Sequence, residues 1–308
     1  MKPLSNDEFK INKLWAKQSF DNAAACYDEA AVLQRKVVDN LFERLDSITL
    51  TPEIILDIGS GTGYCARGLG QTFKKSTVIN LDIAFGMLRH SQKQQGLFSR
   101  LKGVLTGSKL GSQQFLCSDA ESLALQDDSV DLVFSSLAFQ WSNDPDKLFQ
   151  ECYRVLKPGG LLMFSTLGPD TLKELRKSWA HADNKTHVSP FIDMHDIGDA
   201  LLRSGLTNPV MEAENITVTY DTVAVLMRDL KQIGSRNATA GRNRGLTGKK
   251  AMNNMKQAYE EYRRDGSLPA SYEVVYGHAW VPEKKLHSFP GNNQLGVPVS
   301  ALQNIPIN

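Results

Sequence analysis

Short apolar runs of strand length alternate along this chain with longer stretches whose apolar residues recur every three or four positions. Ile55-Leu56-Asp57-Ile58 is the first run, and Val78-Ile79-Asn80-Leu81, closing on Asp82, is the second. Gln114 to Ala120 supplies a third, Val130 to Ser136 a fourth and Leu161 to Ser165 a fifth. A helical pattern follows the first run, and another covers Asp146 to Leu156 before the turn Lys157-Pro158-Gly159-Gly160. The alternation predicts an α/β fold, with a mostly parallel sheet covered by helices on both faces.

The flanks read differently. Residues 9–46 carry two helical stripes, one through Phe20, Ala24, Tyr27, Ala31 and Leu33, the other through Val37, Val38, Leu41, Phe42 and Leu45. Residues 169–265 hold three or four helical patterns around one short strand, Ile216 to Tyr220, and Tyr272 to His278 reads as a last strand. The connection from Ser91 to Ser112 is long and rich in Gln, Lys, Gly and Ser, which suits a helix end followed by a surface loop. Past Pro282 the chain has no period and is expected to be disordered. Four regions follow: an N-terminal helical cap (1–48), a core (49–168), a helical lid with the final strands of the sheet (169–282) and a tail (283–308).

Composition narrows the function classes. A length of 308 residues suits one α/β domain with an appended or inserted lid. The net charge of +1 argues against a nucleic-acid partner, which calls for a basic domain. Cys26, Cys65, Cys117 and Cys152 are scattered without metal-ligand spacing, so no disulfide or metal framework is expected and a reducing cytoplasm is the natural setting. Cys117 falls in a strand expected to be buried, where a thiol acts as a small apolar group. No apolar run suits a secretory signal or a membrane span.

The first strand-to-helix turn carries the candidate chemistry. Gly59, Gly61 and Gly63 let bare backbone approach a ligand closely. Asp82, at the tip of the second strand, can accept both hydroxyls of a ribose. The dinucleotide fingerprint G-x-G-x-x-G would place a glycine where this chain has Tyr64. No pyrophosphate cradle is spelled out, so a nucleoside without phosphates fits better than NAD. The turn Asp57 to Gly63, then Asp82, Asp119-Ala120 and Leu156-Lys157-Pro158-Gly159-Gly160, resemble in order and spacing the class I S-adenosylmethionine-dependent methyltransferases over residues 45–170. That resemblance implies a Rossmann-like sheet and S-adenosyl-L-methionine as cofactor. Asp57, Gly59, Gly61, Gly63, Asp82, Asp119, Ala120 and Ser135 would form its site.

Methyl transfer from a sulfonium needs alignment and dryness more than it needs a base. His195 lies between acids where a helical pattern begins, and it reads as a helix-start residue. A carboxylate acceptor, with a pKa of about 4, is already ionised at neutral pH and calls instead for arginine. Residues 228–265 hold ten Lys and Arg against four Asp and Glu. Arg242 and Arg244 stand among glycines in a loop, and Arg236 is a third candidate.

Further motifs resemble the malonyl-(acyl-carrier protein) O-methyltransferases of biotin synthesis over residues 10–282. They are Phe20 to Asp28 with Gln34, Phe139-Gln140-Trp141, Leu167 to Leu172, Pro190 to Asp196 and Arg242 to Lys249. The resemblance implies esterification of the free carboxyl of a malonyl thioester. Tyr27 would close over the cofactor, Gln140 and Trp141 would line the transfer site, and Arg242 or Arg244 would hold the carboxylate. The acidic malonyl-acyl-carrier protein would dock on the basic 228–265 segment. Two other readings share the glycine turn: a respiratory complex I assembly factor that modifies arginine, and a general small-molecule methyltransferase.

Overall fold

Each of the five apolar runs becomes a strand: β1 (Ile54–Ile58), β2 (Thr77–Asp82), β3 (Ser112–Cys117), β4 (Val130–Ser136) and β5 (Leu156–Leu167). With β6 (Thr207–Tyr220) and β7 (Leu268–Trp280) they form one seven-stranded sheet in the order β3-β2-β1-β4-β5-β7-β6. The structure is a computed structural model that describes residues 9–105, 112–183, 185–242, 245, 247–285 and 297–302. β1 to β5 run parallel, whereas β7 is antiparallel to both β5 and β6.

The alternation inside each strand sorts the core into two layers. Ile55, Val78, Leu132, Phe134, Leu161 and Met163 belong to one cluster, and Leu56, Ile79, Val133, Leu162 and Phe164 to the other. The first layer packs under α3 (Val32–Asp46), α4 (Tyr64–Thr72), α7 (Lys173–Ala182), α9 (Val223–Gln232) and α10 (Lys249–Glu260). The second packs under α6 (Pro145–Val155) and α8 (Met194–Arg203). The remaining helices are α1 (Lys13–Ala23), α2 (Tyr27–Ala30) and α5 (Phe85–Leu105). Local chemistry starts several of these helices: Asn12, Asp144, Asp193 and Thr222 each accept a backbone N–H of the first turn.

Five expectations are corrected. The strand expected at 216–220 is the end of a fourteen-residue edge strand whose first half mixes Asn208 and Glu212 with Val210 and Met211 and holds Pro209. Edge position explains both features, since one flank of such a strand faces solvent and tolerates a missing N–H. The Lys157–Gly160 turn is an irregularity within β5, with a register shift against β4 between Val130 and Leu132. Cys117 is exposed, because β3 is the other edge of the sheet. The 91–112 connection is helical as far as Leu105, and 106–111 lie outside the described residues. In the tail, Val299–Ala301 forms a 3-10 turn, and Val299 and Leu302 pack against the second core layer. Residues 286–296 and 303–308 lie outside the described residues.

The turn after β1 shows why glycine is needed there. Gly59 has φ +72°, and a Cβ built on it would come within 2.3 Å of the Ala138 Cβ, an atom fixed to the backbone beyond β4. Gly63 has φ +80° and would meet Ser91 Oγ at 2.0 Å. Left-handed backbone alone costs an alanine about 1–2 kcal/mol. Gly59→Ala is therefore expected to destabilise the fold by more than about 2 kcal/mol, read by urea denaturation; a change under about 0.5 kcal/mol would show that the turn has room to spare.

Candidate active site

The parallel register of β1 and β2 sets the glycine turn beside Asp82. Gly61 N–H donates to Asp82 Oδ2 at 2.9 Å, and Ala84 N–H donates to Asp82 Oδ1 at 2.7 Å. Burial outweighs these donors and pushes the Asp82 pKa up to about 6. On β1, Asp57 is buried too, and burial pushes its pKa up to about 7 despite bonds from Cys65 and Ala66. Asp57 Oδ2, Ser60 Oγ and Gln34 Oε1 are buried without a hydrogen-bond partner, and all three residues line one pocket against the turn.

A cleft of about 850 Å³, partly open to solvent, lies at the carboxyl ends of β1, β2 and β4. Gly59, Gly61, Asp82, Asp119 and Ala120 line it beside the apolar Ile83, Met87 and Leu148. The N-terminal cap roofs this cleft. Lys13 on α1 reaches Asp119 Oδ2 at 2.6 Å and Glu121 Oε2 at 2.7 Å. Asp28 Oδ1 accepts from Thr62 Oγ1 at 2.5 Å, and Asp21 Oδ1 accepts from Gly86 N–H at 2.6 Å. Tyr27 is half-buried, and burial of its hydroxyl, with Asp82 and Asp28 nearby, pushes its pKa up. It is a neutral donor at any ordinary pH.

A second cavity of similar size shares Phe20, Tyr27, Leu137 and Trp141 with the cleft. Trp141 meets Phe20 edge-on at 5.1 Å. Gln140 Nε2 donates to Leu137 O at 2.6 Å, and its Oε1 accepts from Thr166 Oγ1 at 3.3 Å. The lid contributes His187, Leu230, Ile233, Arg236 and Asn237 to the same cavity. Backbone pairing ties this part of the lid to the N-terminus, with Asn12 N–H donating to Ala238 O and Ala240 N–H to Lys10 O.

Most of the residues predicted from sequence converge here, with four exceptions. Ser135 is fully buried and donates to Ile58 O at 2.9 Å, so the neighbouring Ser136 lines the cleft in its place. Strand alternation decides which serine faces out, and the sequence offers both. Arg242 lies against the Trp15 ring at 4.1 Å and lines neither cavity. Arg244 lies outside the described residues. Gly63 lines neither cavity; it is the left-handed N-cap of α4. His195 is exposed in the first turn of α8, bonded to Asp193. Lys13 and His187 were missed, since each sits where the pattern marks only a helix or a polar loop, and Gln34 stood only as part of a motif with no role given to it.

A family model described as a methyltransferase domain matches residues 56–164. The malonyl-(acyl-carrier protein) O-methyltransferase of Laribacter hongkongensis is 52% identical over 276 residues, covering 90% of this chain and 92% of that protein. The protein of the same name from a Methylovorus species is 49% identical over 283 residues, covering 92% and 94%. The chain belongs to the malonyl-(acyl-carrier protein) O-methyltransferase family. Among solved structures, the YcgJ protein of Bacillus subtilis shares the fold, with a TM-score of 0.54 at 16% identity over 79% of this chain and 98% of that one. The chain is an enzyme, and S-adenosyl-L-methionine is its cofactor. The cleft and the pocket against the turn together fit that molecule: the unpartnered oxygens of Asp57, Ser60 and Gln34 in the pocket can accept from an ammonium, and the bare glycine turn, which borders both, leaves room for its backbone. Among the described residues, no helix is long and apolar enough to cross a membrane.

Asp82→Ala removes an acceptor that hydroxyls would otherwise use, and should weaken S-adenosylhomocysteine binding by about 1–3 kcal/mol in calorimetry; unchanged affinity would remove Asp82 from the site. The raised carboxyl pKa values set a pH trend. Asp57 and Asp82 bind protons more readily folded than unfolded, so their contribution to stability is complete below their ordinary value of 3.8 and is lost as pH rises through about 6 to 7. Donors on the cofactor favour the ionised forms. The rise in Tm caused by S-adenosylhomocysteine should therefore grow between about pH 5 and about pH 8, and a shift that shrinks over that range would contradict the role of these acids.

Proposed function

We propose that this enzyme transfers a methyl group to the free carboxylate of a malonyl thioester carried on acyl-carrier protein, giving the malonyl methyl ester for biotin synthesis. The observation that carries this reading is the cavity sharing walls with the cofactor cleft. It offers Arg236, whose guanidinium has no hydrogen-bond or ion-pair partner among the described residues. A carboxylate needs that cation and needs no base. The names of the closely similar relatives favour this reading over the arginine-modifying and general small-molecule alternatives.

S-adenosylmethionine supplies the methyl group and, as a sulfonium, its own leaving group. The chain's residues do the rest by position. Asp82 takes the ribose hydroxyls. Asp57, with Ser60, takes the ammonium of the methionine end, while Gly59 and Gly61 let backbone approach. Asp119 and Ala120 bound the adenine end, with Lys13 closing over it. Tyr27, Gln140 and Trp141 wall the junction and exclude water, and Tyr27 offers a hydroxyl to the transfer site. Residues 1–48 act as the cap on the core 49–168, and 169–282 as the substrate lid.

The acidic carrier protein docks on the basic 228–265 segment in this reading. Arg228, Lys231, Lys249, Lys250 and Lys256 are exposed without an acidic partner among the described residues, and Arg236 is exposed at the cavity. Arg263 pairs instead with Glu260 and with the Gly266 and Asp221 carbonyls, so it serves the fold.

Purified enzyme with labelled cofactor should label malonyl-carrier protein and leave acetyl-carrier protein unlabelled; label on neither, despite tight cofactor binding, would refute the reading. Arg236→Ala should lower kcat/KM for the malonyl substrate by about tenfold or more while sparing cofactor affinity. Unchanged kinetics would place the carboxylate on another cation.

A further inference from the structure

The substrate cavity holds a second cationic candidate that the residue pattern gives no hint of. His187 lines the cavity in the stretch between α7 and α8. Its ring stacks on the buried Trp179 with centroids 3.7 Å apart and planes within 9°. Nε2 pairs with Asp183 Oδ1 at 2.9 Å. The carboxylate can only accept, so Nε2 carries a proton and donates. Nδ1 has no partner among the described residues. The ring is thus clamped on one face and one edge, with its other nitrogen left for a ligand.

The same clamp is joined to Arg236. Asn237 Nδ2 donates to Thr186 O at 2.7 Å, and Asn237 Oδ1 accepts from Thr239 N–H at 2.9 Å and from its hydroxyl at 2.7 Å. One side chain therefore fixes the residue after Arg236 to the residue before His187. Two potential cations, on segments far apart in sequence, are locked into one cavity next to the transfer site. Asp183 stands against the Nε2 edge of His187, while Arg236 supplies charge that no acid among the described residues offsets.

We infer that His187 is a positioning residue for the acceptor: held as the imidazolium between Asp183 on Nε2–H and the bound acceptor on Nδ1–H, it donates to the malonyl carboxylate that Arg236 pairs with, and so fixes which oxygen points at the methyl group. The inference rests on the carboxylate reading above and adds a specificity role to it. No bond of His187 is made or broken, and the proton on Nδ1 stays there through the transfer.

Two substitutions separate hydrogen bonding from packing. His187→Phe keeps the ring on Trp179 and removes both nitrogens, whereas His187→Asn loses the ring and keeps a donor near Nδ1. Affinities of malonyl-pantetheine and acetyl-pantetheine are measured by calorimetry on the enzyme loaded with S-adenosylhomocysteine, with KM and kcat for malonyl-carrier protein alongside. His187→Phe should lower the malonyl-over-acetyl preference roughly tenfold and raise KM, with unchanged S-adenosylhomocysteine affinity, and His187→Asn should restore most of the preference. Equal weakening of both ligands in His187→Phe, or a preference kept by Phe and lost by Asn, overturns the role. A wild-type enzyme without any malonyl preference overturns the carboxylate reading itself, and this inference with it.

Discussion

Two carboxyl groups have to be kept where water is scarce, and the glycine turn is what makes that feasible. Asp57 and Asp82 lie at or next to the carboxyl ends of neighbouring parallel strands, and burial raises both pKa values. A residue with a side chain at Gly59 would collide with Ala138, and a turn opened to relieve that contact would carry the Gly61 amide away from Asp82. The backbone therefore supplies the donors that hold an ionisable acid in an apolar cleft. Sheet register decides the geometry, glycine allows the approach, and the cofactor's own donors complete the set.

Everything beyond the sheet acts as a cover on that arrangement. The cap reaches the cleft through Lys13 to Asp119 and Glu121, through Asp28 to Thr62 and through Asp21 to Gly86. Residues 10–12 are sandwiched between Asn143 and the 238–240 segment of the lid, so cap, core and lid meet on one short strand-like stretch. Surface ion pairs of this kind contribute little to stability. Their value lies in closing two cavities against a shared wall of Phe20, Tyr27 and Trp141, which excludes water from a reaction that depends on alignment.

The parallel core was legible because buried strands read as apolar runs and the turn chemistry is written in glycine. β6 was half-hidden for the opposite reason: as an edge strand it carries Asn208, Pro209, Glu212 and Glu214, which break up the short apolar pair Val210-Met211. The cofactor cleft was legible apart from Ser135, where a one-residue difference along a strand exchanges the two faces of the sheet. The arginine was not. Composition drew the eye to Arg242 in its glycine loop, yet that guanidinium lies on Trp15, and Arg236 is the one brought to the cavity. Chain direction through a loop has no period, so neither Arg236 nor His187 could be told from a solvated neighbour. Only the fold brings 187 and 236 together.

The most direct measurement is a crystal structure of the enzyme with S-adenosylhomocysteine and malonyl-pantetheine bound together. The free carboxylate should lie in the cavity of Arg236 and His187, against Tyr27 and Trp141, with one oxygen facing the cofactor sulfur across the space of one methyl group. A carboxylate directed instead into the neighbouring pocket between Phe9 and Ile197, with the thioester toward the sulfur, would contradict the carboxyl-transfer geometry at its centre.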